Sequence, residues 1–462
     1  MARRFPTLLA ASVIGVYVLV VVGATASLGD AAAACSQWPS CHEGASLSDP
    51  SVLVALGHRI VAAIVGLLII ATAVSGWSEA RPRVRAALAA ALVLYPVQVA
   101  LGAVISIGGG AEGLHLAIAM SIFGLLVVAL AWELEPDTDY DSDASAEPEP
   151  IVDADPTEPS PTVASGSDGR PHRTVLERLR VVGWAYFKLM KPRLMWLLCL
   201  VAGAGMVLAG VPTVRTVVAT LGGGVLAIGA SGTYNHVLER DVDRRMKRTA
   251  DRPVVTHEVP VRNAVAFGVF LTVASFGVFL SVNILVAALG LAAIGFYSVV
   301  YTLVLKPNTV QNTVLGGLAG ALPALIGYAA VTGTLGYPGL LLAGLIFLWT
   351  PAHFYNLALA YRSDYERGGF PMMPVVRGDA ETRKHILLYL GATLLAGAVL
   401  AVLSNLGWLY AATTVALGGV FLWAVVRLHR ERTDAAAMRA FHASNAYLGL
   451  VLVAIVIDGL AF

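Results

Sequence analysis

Charge is scarce in this chain. Only 13% of its 462 residues are Asp, Glu, Lys or Arg, and its mean hydropathy is +0.74. An ordinary soluble domain is about 25% charged, so a water-soluble globular protein is excluded. Short alternating apolar segments are missing, which excludes a porin-like barrel. Basic residues do not gather in one soluble patch, which excludes nucleic acid as a partner. Lys and Arg are absent from Glu133–Asp168, a stretch with twelve acidic residues. Cysteine is limited to three residues. Cys199 lies in an apolar run and reads as core packing.

Present instead are apolar runs of about 20 residues, the length that spans a hydrocarbon core. The fold class is therefore an all-α polytopic membrane protein. Four candidate spans come early: Thr7–Leu28, Val52–Trp77, Ala86–Ile107 and Leu114–Trp132. Nine come late: Leu194–Ala209, Val217–Leu238, Val261–Leu280, Ile284–Val304, Thr313–Val331, Leu340–Ala360, Ile386–Leu403, Leu406–Val426 and Ala440–Phe462. Residues 133–180, rich in Pro, Asp, Glu and Ser at their start, bury too little apolar area to fold and read as a disordered linker. Residues 1–132 thus form a four-span domain and residues 181–462 a nine-span domain. The first run follows Arg3 and Arg4 and has two readings, a signal peptide or a retained helix. The later spans favour the retained helix.

Lys and Arg concentrate in alternate loops: at Arg81–Arg85, Arg240–Arg252, Lys306, Arg362–Arg367 and Arg427–Arg432. The positive-inside rule then predicts a cell-membrane protein with a cytoplasmic N-terminus and linker and an external C-terminus. Cys35 and Cys41 fall in the first external loop, where they are either a disulfide or two free thiols.

The stretch "YNHVLERDVDRRMKRTADRPV", from Tyr234 to Val254, ends a long apolar run. On a helix, Asn235, Glu239 and Asp243 stack on one face at i, i+4 and i+8. Three oxygen donors on one face suit Mg²⁺, which is commonly shared with substrate phosphates. The cations from Arg240 to Arg252 suit phosphate oxygens. The blander reading is a charged loop obeying the positive-inside rule, which accounts for the arginines and leaves the carboxylates unexplained. A second polar cluster follows in "WTPAHFYNLALAYRSDYERGGFPMMPVV" from Trp349, with intramembrane His353 and then Asp364. His353 alone reads as a hydrogen-bonded core histidine; beside Asp364 it reads as a pocket wall.

These words resemble a known family. "NHVLERDVDRRMKRTADRPV" resembles the first aspartate-rich motif of the intramembrane prenyltransferases of the UbiA superfamily. "YFKLMKPRLMWLL", "YTLVLKPNTVQNTVLGGLAGALPALIGYAAVTG" and the Trp349 stretch are similar to its haem O synthase (protohaem IX farnesyltransferase) branch. The resemblance covers about Ala185–Phe462. It implies transfer of the farnesyl group of farnesyl diphosphate to a vinyl group of haem B, in the haem supply of terminal oxidases. It further implies Mg²⁺ bound by Asn235, Glu239, Asp243 and Asp364, with Asp241 nearby. Phosphate contacts fall to Lys191, Arg193, Arg252 and Lys306, and haem contact to His353. Glu239 stands where Asp is commoner, and the Asp364 cluster lacks a second Asp. Remaining alternatives are a prenyltransferase acting on a quinone precursor or a lipid, and a transporter with an ion site in a broken helix.

The first four spans are similar to half of a haem A synthase. "CSQWPSCHE", "GHRIVAAIVGLLI" and "GLHLAIAMSIFGLLVVAL" carry that likeness. It implies haem ligation by His58 and His115 and work alongside a haem A synthase or a terminal oxidase assembly. Ala55 replaces the acidic residue expected one turn before the first histidine. That leaves receiving, holding or passing on haem as the roles of this half, or completion by a partner half.

Overall fold

The computed structural model describes residues 4–28, 35, 37–41, 46, 48–135 and 174–461, with the side chains of 24–28 and 178 excepted. Among these residues, thirteen helices are long and apolar enough to cross a membrane. The chain is an all-helical, multi-pass membrane protein.

The early helices are α1 (Arg4–Leu28), α2 (Pro50–Gly76), α3 (Pro82–Ser106) and α4 (Glu112–Leu134). Local chemistry sets where they start. Asp49 caps α2 by accepting from the Ser51 N–H at 2.8 Å, and Pro50 fills the first turn. The four helices pack in sequence and α1 returns against α4, which closes a four-helix bundle. Cys35 and Cys41 are joined as a disulfide. The Arg59 guanidinium donates to the carbonyls of Cys35, Gln37, Pro39 and Ser40 and holds that loop onto α2.

Of residues 133–180, 136–173 lie outside the described residues. Glu133 and Leu134 end α4, and 174–180 open an amphipathic helix, α5 (Val175–Leu189). Its capping box pairs Thr174 with Glu177.

The later spans are α6 (Pro192–Ala209), α7 (Val214–Leu238), α9 (Val261–Leu280), α10 (Ile284–Gly295), α12 (Asn312–Thr332), α13 (Tyr337–Ala360), α16 (Gly378–Leu403), α17 (Trp408–Glu431) and α18 (Asp434–Ala461). Short α8 (Arg240–Asp243), α11 (Lys306–Asn308), α14 (Arg362–Gly368) and α15 (Met373–Val376) extend them at one end. Each of the nine spans touches the next, and α18 meets α6, so they close a ring. Helix association in lipid depends on close backbone approach at small residues. At the α6–α12 crossing, a side chain at Gly327 would collide with the Ala202 carbonyl, and one at Gly205 with the Ala324 carbonyl.

The bundle docks on the ring through α1 and α4. Tyr17 lies over Gly418 of α17 and Val127 over Gly391 of α16. Buried Glu135 accepts two hydrogen bonds from buried Arg383, at 2.5 and 3.2 Å. The other face of the bundle, with Ile64, Leu67, Val74 and Val93, is exposed and apolar, as a lipid-facing surface must be.

Candidate active site

The Tyr234 stretch folds as its spacing predicts. Glu239 links α7 to α8, and the i→i−4 ladder runs through it: the Glu239 N–H bonds Asn235 O at 2.9 Å and the Asp243 N–H bonds Glu239 O at 2.7 Å. Asn235, Glu239 and Asp243 are buried and share one face. Asp241 points the other way, is exposed, and pairs with Arg240 and Arg244.

Three cations meet this row. Lys191 Nζ donates to Asn235 Oδ1 and, at 3.3 Å, to the Tyr297 hydroxyl. Lys306 Nζ donates to Glu239 Oε1 at 2.6 Å. Arg252 pairs with Asp243 and lies 3.7 Å from Glu239. Lys191 reaches inward because its backbone is left-handed (φ 54°, ψ 57°), which turns the chain sharply from α5 into α6. Pro192 in the first turn then starts α6.

Burial lowers Lys191 to about 7, and Arg252 pushes the same way against Glu239 and Asp243. Burial acts to raise Glu239, but Lys306 and Lys191 outweigh it and hold the group below its ordinary value. Asp243 is raised: burial exceeds the pull of Arg252, and the charge of Glu239 adds to it.

Asp364 is buried on α14 and belongs to the same end of the ring. It accepts from the Arg248 backbone N–H at 3.1 Å and pairs with Arg367. Arg248 lies over the rings of Tyr361 and Tyr365, 5.4 and 5.8 Å from their centroids. One loop thus carries Arg252 to the first cluster and Arg248 to the second. The remaining cations of this loop divide differently. Arg244, Arg245 and Lys247 are exposed and fit the blander reading of a solvated charged turn.

Two expected residues stand apart from these contacts. Arg193 is exposed on the first turn of α6 and joins none of them. His353 is stacked between Trp349 (centroids 4.2 Å apart) and Phe441 (4.4 Å), with Nδ1 2.6 Å from Ser444 Oγ. It fits the reading of a hydrogen-bonded core histidine at the α13–α18 contact. His58 packs against Gly23 and His115 against Gly102, each with Nδ1 buried and without a hydrogen-bond partner.

Tyr297 and Thr302 escaped the sequence reading. They lie in a π-helical stretch, Phe296–Leu305, between α10 and α11. Thr302 Oγ1 donates to Tyr297 O at 2.8 Å and accepts from Asn235 Nδ2 at 3.2 Å. Tyr297 near the start of this stretch and Lys306 just after it both reach the same cluster. π-Helical turns concentrate at functional sites. Hydropathy does not distinguish π from α winding, and a polar Thr within an apolar span was the signal available.

Beside the cations lies an apolar cavity with about 740 Å³ of empty space, part of it open. Lys191, Gly232 and Tyr297 form its polar end; Thr220, Phe279 and Ile326 form its far end. A buried row of oxygen donors, cations placed to hold an anion and an apolar chamber make a site for a molecule with an anionic head and a hydrocarbon tail.

The profile of the UbiA prenyltransferase family matches residues 196–449. The chain is 69% identical to protoheme IX farnesyltransferase 1 of Natronomonas pharaonis over 99% of both chains. It is 62% identical to protoheme IX farnesyltransferase of Haloarcula marismortui over 100% of this chain and 99% of the relative. A solved structure titled for digeranylgeranylglyceryl phosphate synthase in membranes shares the fold, with TM-score 0.52 and 14% identity, covering 62% of this chain and all of that one. With the profile spanning more than half its length and such relatives matching it end to end, the chain belongs to the UbiA prenyltransferase family.

Proposed function

We propose that this chain is the enzyme that transfers the farnesyl group of farnesyl diphosphate to a vinyl group of haem B, forming haem O. The observation that carries the reading is the junction of the Asn235–Glu239–Asp243 row and its three cations with the apolar cavity. The relatives' names supply the acceptor.

The donor set fits Mg²⁺ of a particular kind. Its atoms are hard oxygens, and among the described residues no group of three or more His, Cys, Asp or Glu forms a cage. That suits an ion completed by diphosphate oxygens and water. Asn235, Glu239 and Asp243 would hold it, with Asp364 contributing from the second cluster. When bound, the ion supplies positive charge to the leaving diphosphate.

Lys191, Lys306 and Arg252 stabilise that same charge, and their placement before substrate arrives means little reorganisation is needed. The C1–O bond breaks and its electron pair leaves with diphosphate. The vinyl electrons form the new bond to C1. Water closes the resulting cation and loses one proton, giving the hydroxyethylfarnesyl side chain. The apolar cavity keeps other water from the allylic centre.

Lys and Arg placement supports a cell-membrane orientation with this site on the cytoplasmic face and the C-terminus outside. Residues 1–132 and 181–462 are proposed as separate functional units. In the first, the buried Nδ1 atoms of His58 and His115, each without a hydrogen-bond partner, support haem ligation. Titrating haem into the protein and reading the absorption spectrum tests it: loss of the ligated spectrum in both His58→Ala and His115→Ala supports it, and an unchanged spectrum in either removes that ligand. Work beside a haem A synthase or a terminal oxidase assembly belongs to the same proposal.

The main test incubates purified protein with haem B, farnesyl diphosphate and Mg²⁺ and weighs the extracted haem by mass spectrometry. Haem O from the native protein and none from Asp243→Ala is the expected result. Unmodified haem B from intact native protein turns the reading to a quinone precursor or a lipid as acceptor. Haem O from both proteins removes the metal role from Asp243.

A further inference from the structure

The cavity has a floor, built by Thr220, Phe279 and Ile326, and its largest side chain is one ring. Phe279, the penultimate residue of α9, is fully buried and lines the end away from Lys191. Glycines flank it on two helices. A side chain at Gly223 of α7 would come within 2.7 Å of Phe279 Cδ1, and one at Gly290 of α10 would collide with Cδ2. Ser275, one turn earlier on α9, donates to Gly223 O at 2.9 Å and braces the two helices at this level. The ring is therefore gripped in a notch that exists only because both facing residues lack a Cβ.

We propose that Phe279, seated in the notch between Gly223 and Gly290, sets the length of prenyl chain this protein accepts. The proposal rests on the prenyl-transfer reading above and deepens it. Lengths follow from helix geometry. From Gly232 at the polar end to Gly223 at the ring is nine residues of α7, roughly 14 Å at the rise of an α-helix. The twelve-carbon main chain of a farnesyl group, extended, spans roughly 14 Å by ordinary C–C geometry. A geranylgeranyl group adds four main-chain carbons, roughly 5 Å, and would have to pass the ring toward Thr220 and Leu221, the last part of α7 to line the cavity. A geranyl group would stop short and leave apolar surface uncovered.

Two substitutions push in opposite directions. Phe279→Ala removes the floor and lengthens the chamber. Gly223→Ala drives the ring off its seat; with Gly290 on its other side, the ring has the cavity to move into, and the chamber shortens.

The test uses the full chain in lipid nanodiscs with haem B, Mg²⁺ and, in turn, geranyl, farnesyl and geranylgeranyl diphosphate. Product masses and kcat/KM are read for each. The native protein is expected to favour farnesyl. Phe279→Ala should raise the geranylgeranyl-to-farnesyl ratio by about tenfold or more, the usual scale for apolar pocket discrimination. Gly223→Ala should raise the geranyl-to-farnesyl ratio. Phe279→Leu, a smaller change in volume, should give an intermediate shift and carries the test if Phe279→Ala fails to fold. Native farnesyl transfer with unchanged ratios in the variants overturns the floor and leaves the function standing. A native protein that alkylates haem B with none of the three diphosphates overturns the function and the floor together.

Discussion

Gly232 should be among the most sensitive residues in the protein, although it has no side chain to offer the site. It lies on α7, facing the turn from α5 into α6. A Cβ there would stand 2.8 Å from the Leu189 carbonyl oxygen, 3.2 Å from Lys191 Cγ and 3.3 Å from Met190 C. Two of those neighbours are backbone, so relief requires moving the corner. The corner has little slack, because Lys191 already holds a left-handed conformation that non-glycine residues seldom adopt. Overpacking of this kind costs about 1–3 kcal/mol. If that cost falls on the placement of Lys191, affinity for the diphosphate drops by about 5- to 100-fold, at 1.4 kcal/mol per tenfold. Gly232→Ala should therefore raise KM for farnesyl diphosphate by that factor while leaving the KM for haem B near its native value. Gly222→Ala is the control. It lies on the same helix with open space around it, and there alanine should be neutral or stabilise by up to about 1 kcal/mol. Steady-state kinetics of haem O formation in nanodiscs, with thermal melts of each variant, gives both readings. A folded Gly232→Ala protein with native kinetics would refute the claim that this contact positions Lys191.

Three other outcomes follow from the same geometry. Lys306→Met leaves Glu239 buried without its nearest cation, and should lower kcat/KM for the diphosphate by more than Arg193→Met, whose side chain is exposed; equal effects would count against the assignment. Activity should fall at alkaline pH. Lys191, lowered to about 7, loses its charge as pH rises through that value, so kcat/KM for the diphosphate declines on the alkaline side. Lys191→Arg, which stays charged, should abolish the alkaline limb in a kcat/KM–pH profile, and its persistence would reassign the limb. Arg383→Met leaves buried Glu135 with only the exposed Arg432, 3.7 Å away, and should destabilise the α4–α16 junction by less than the about 3–5 kcal/mol of a fully unpaired buried charge, whereas Arg383→Met with Glu135→Leu should recover much of it. Chemical denaturation with a double-mutant cycle measures the difference.

Thirteen runs of apolar residues were legible because membrane insertion is a local, compositional property: each span satisfies its own backbone hydrogen bonds. The row at Asn235, Glu239 and Asp243 was legible because helical periodicity alone stacks residues four apart. Arg252 was legible as one of the cations beside that row, Lys191 and Lys306 entered through motif resemblance, and the capped start of α5 was passed over inside a polar stretch. What lay beyond the sequence were contacts between distant segments. Arg193 and His353 resemble site residues by position along the chain, yet one faces outward and the other is stacked between Trp349 and Phe441. Tyr297 meets Lys191 from more than a hundred residues further along the chain. The sequence by itself determined the spans, their order and the chemistry of the donor row, since these depend on neighbours within a turn or two. Only the tertiary structure decided which cation meets which carboxylate, where the cavity ends and which glycines make room for it, because those depend on side chains brought together from helices far apart in the chain.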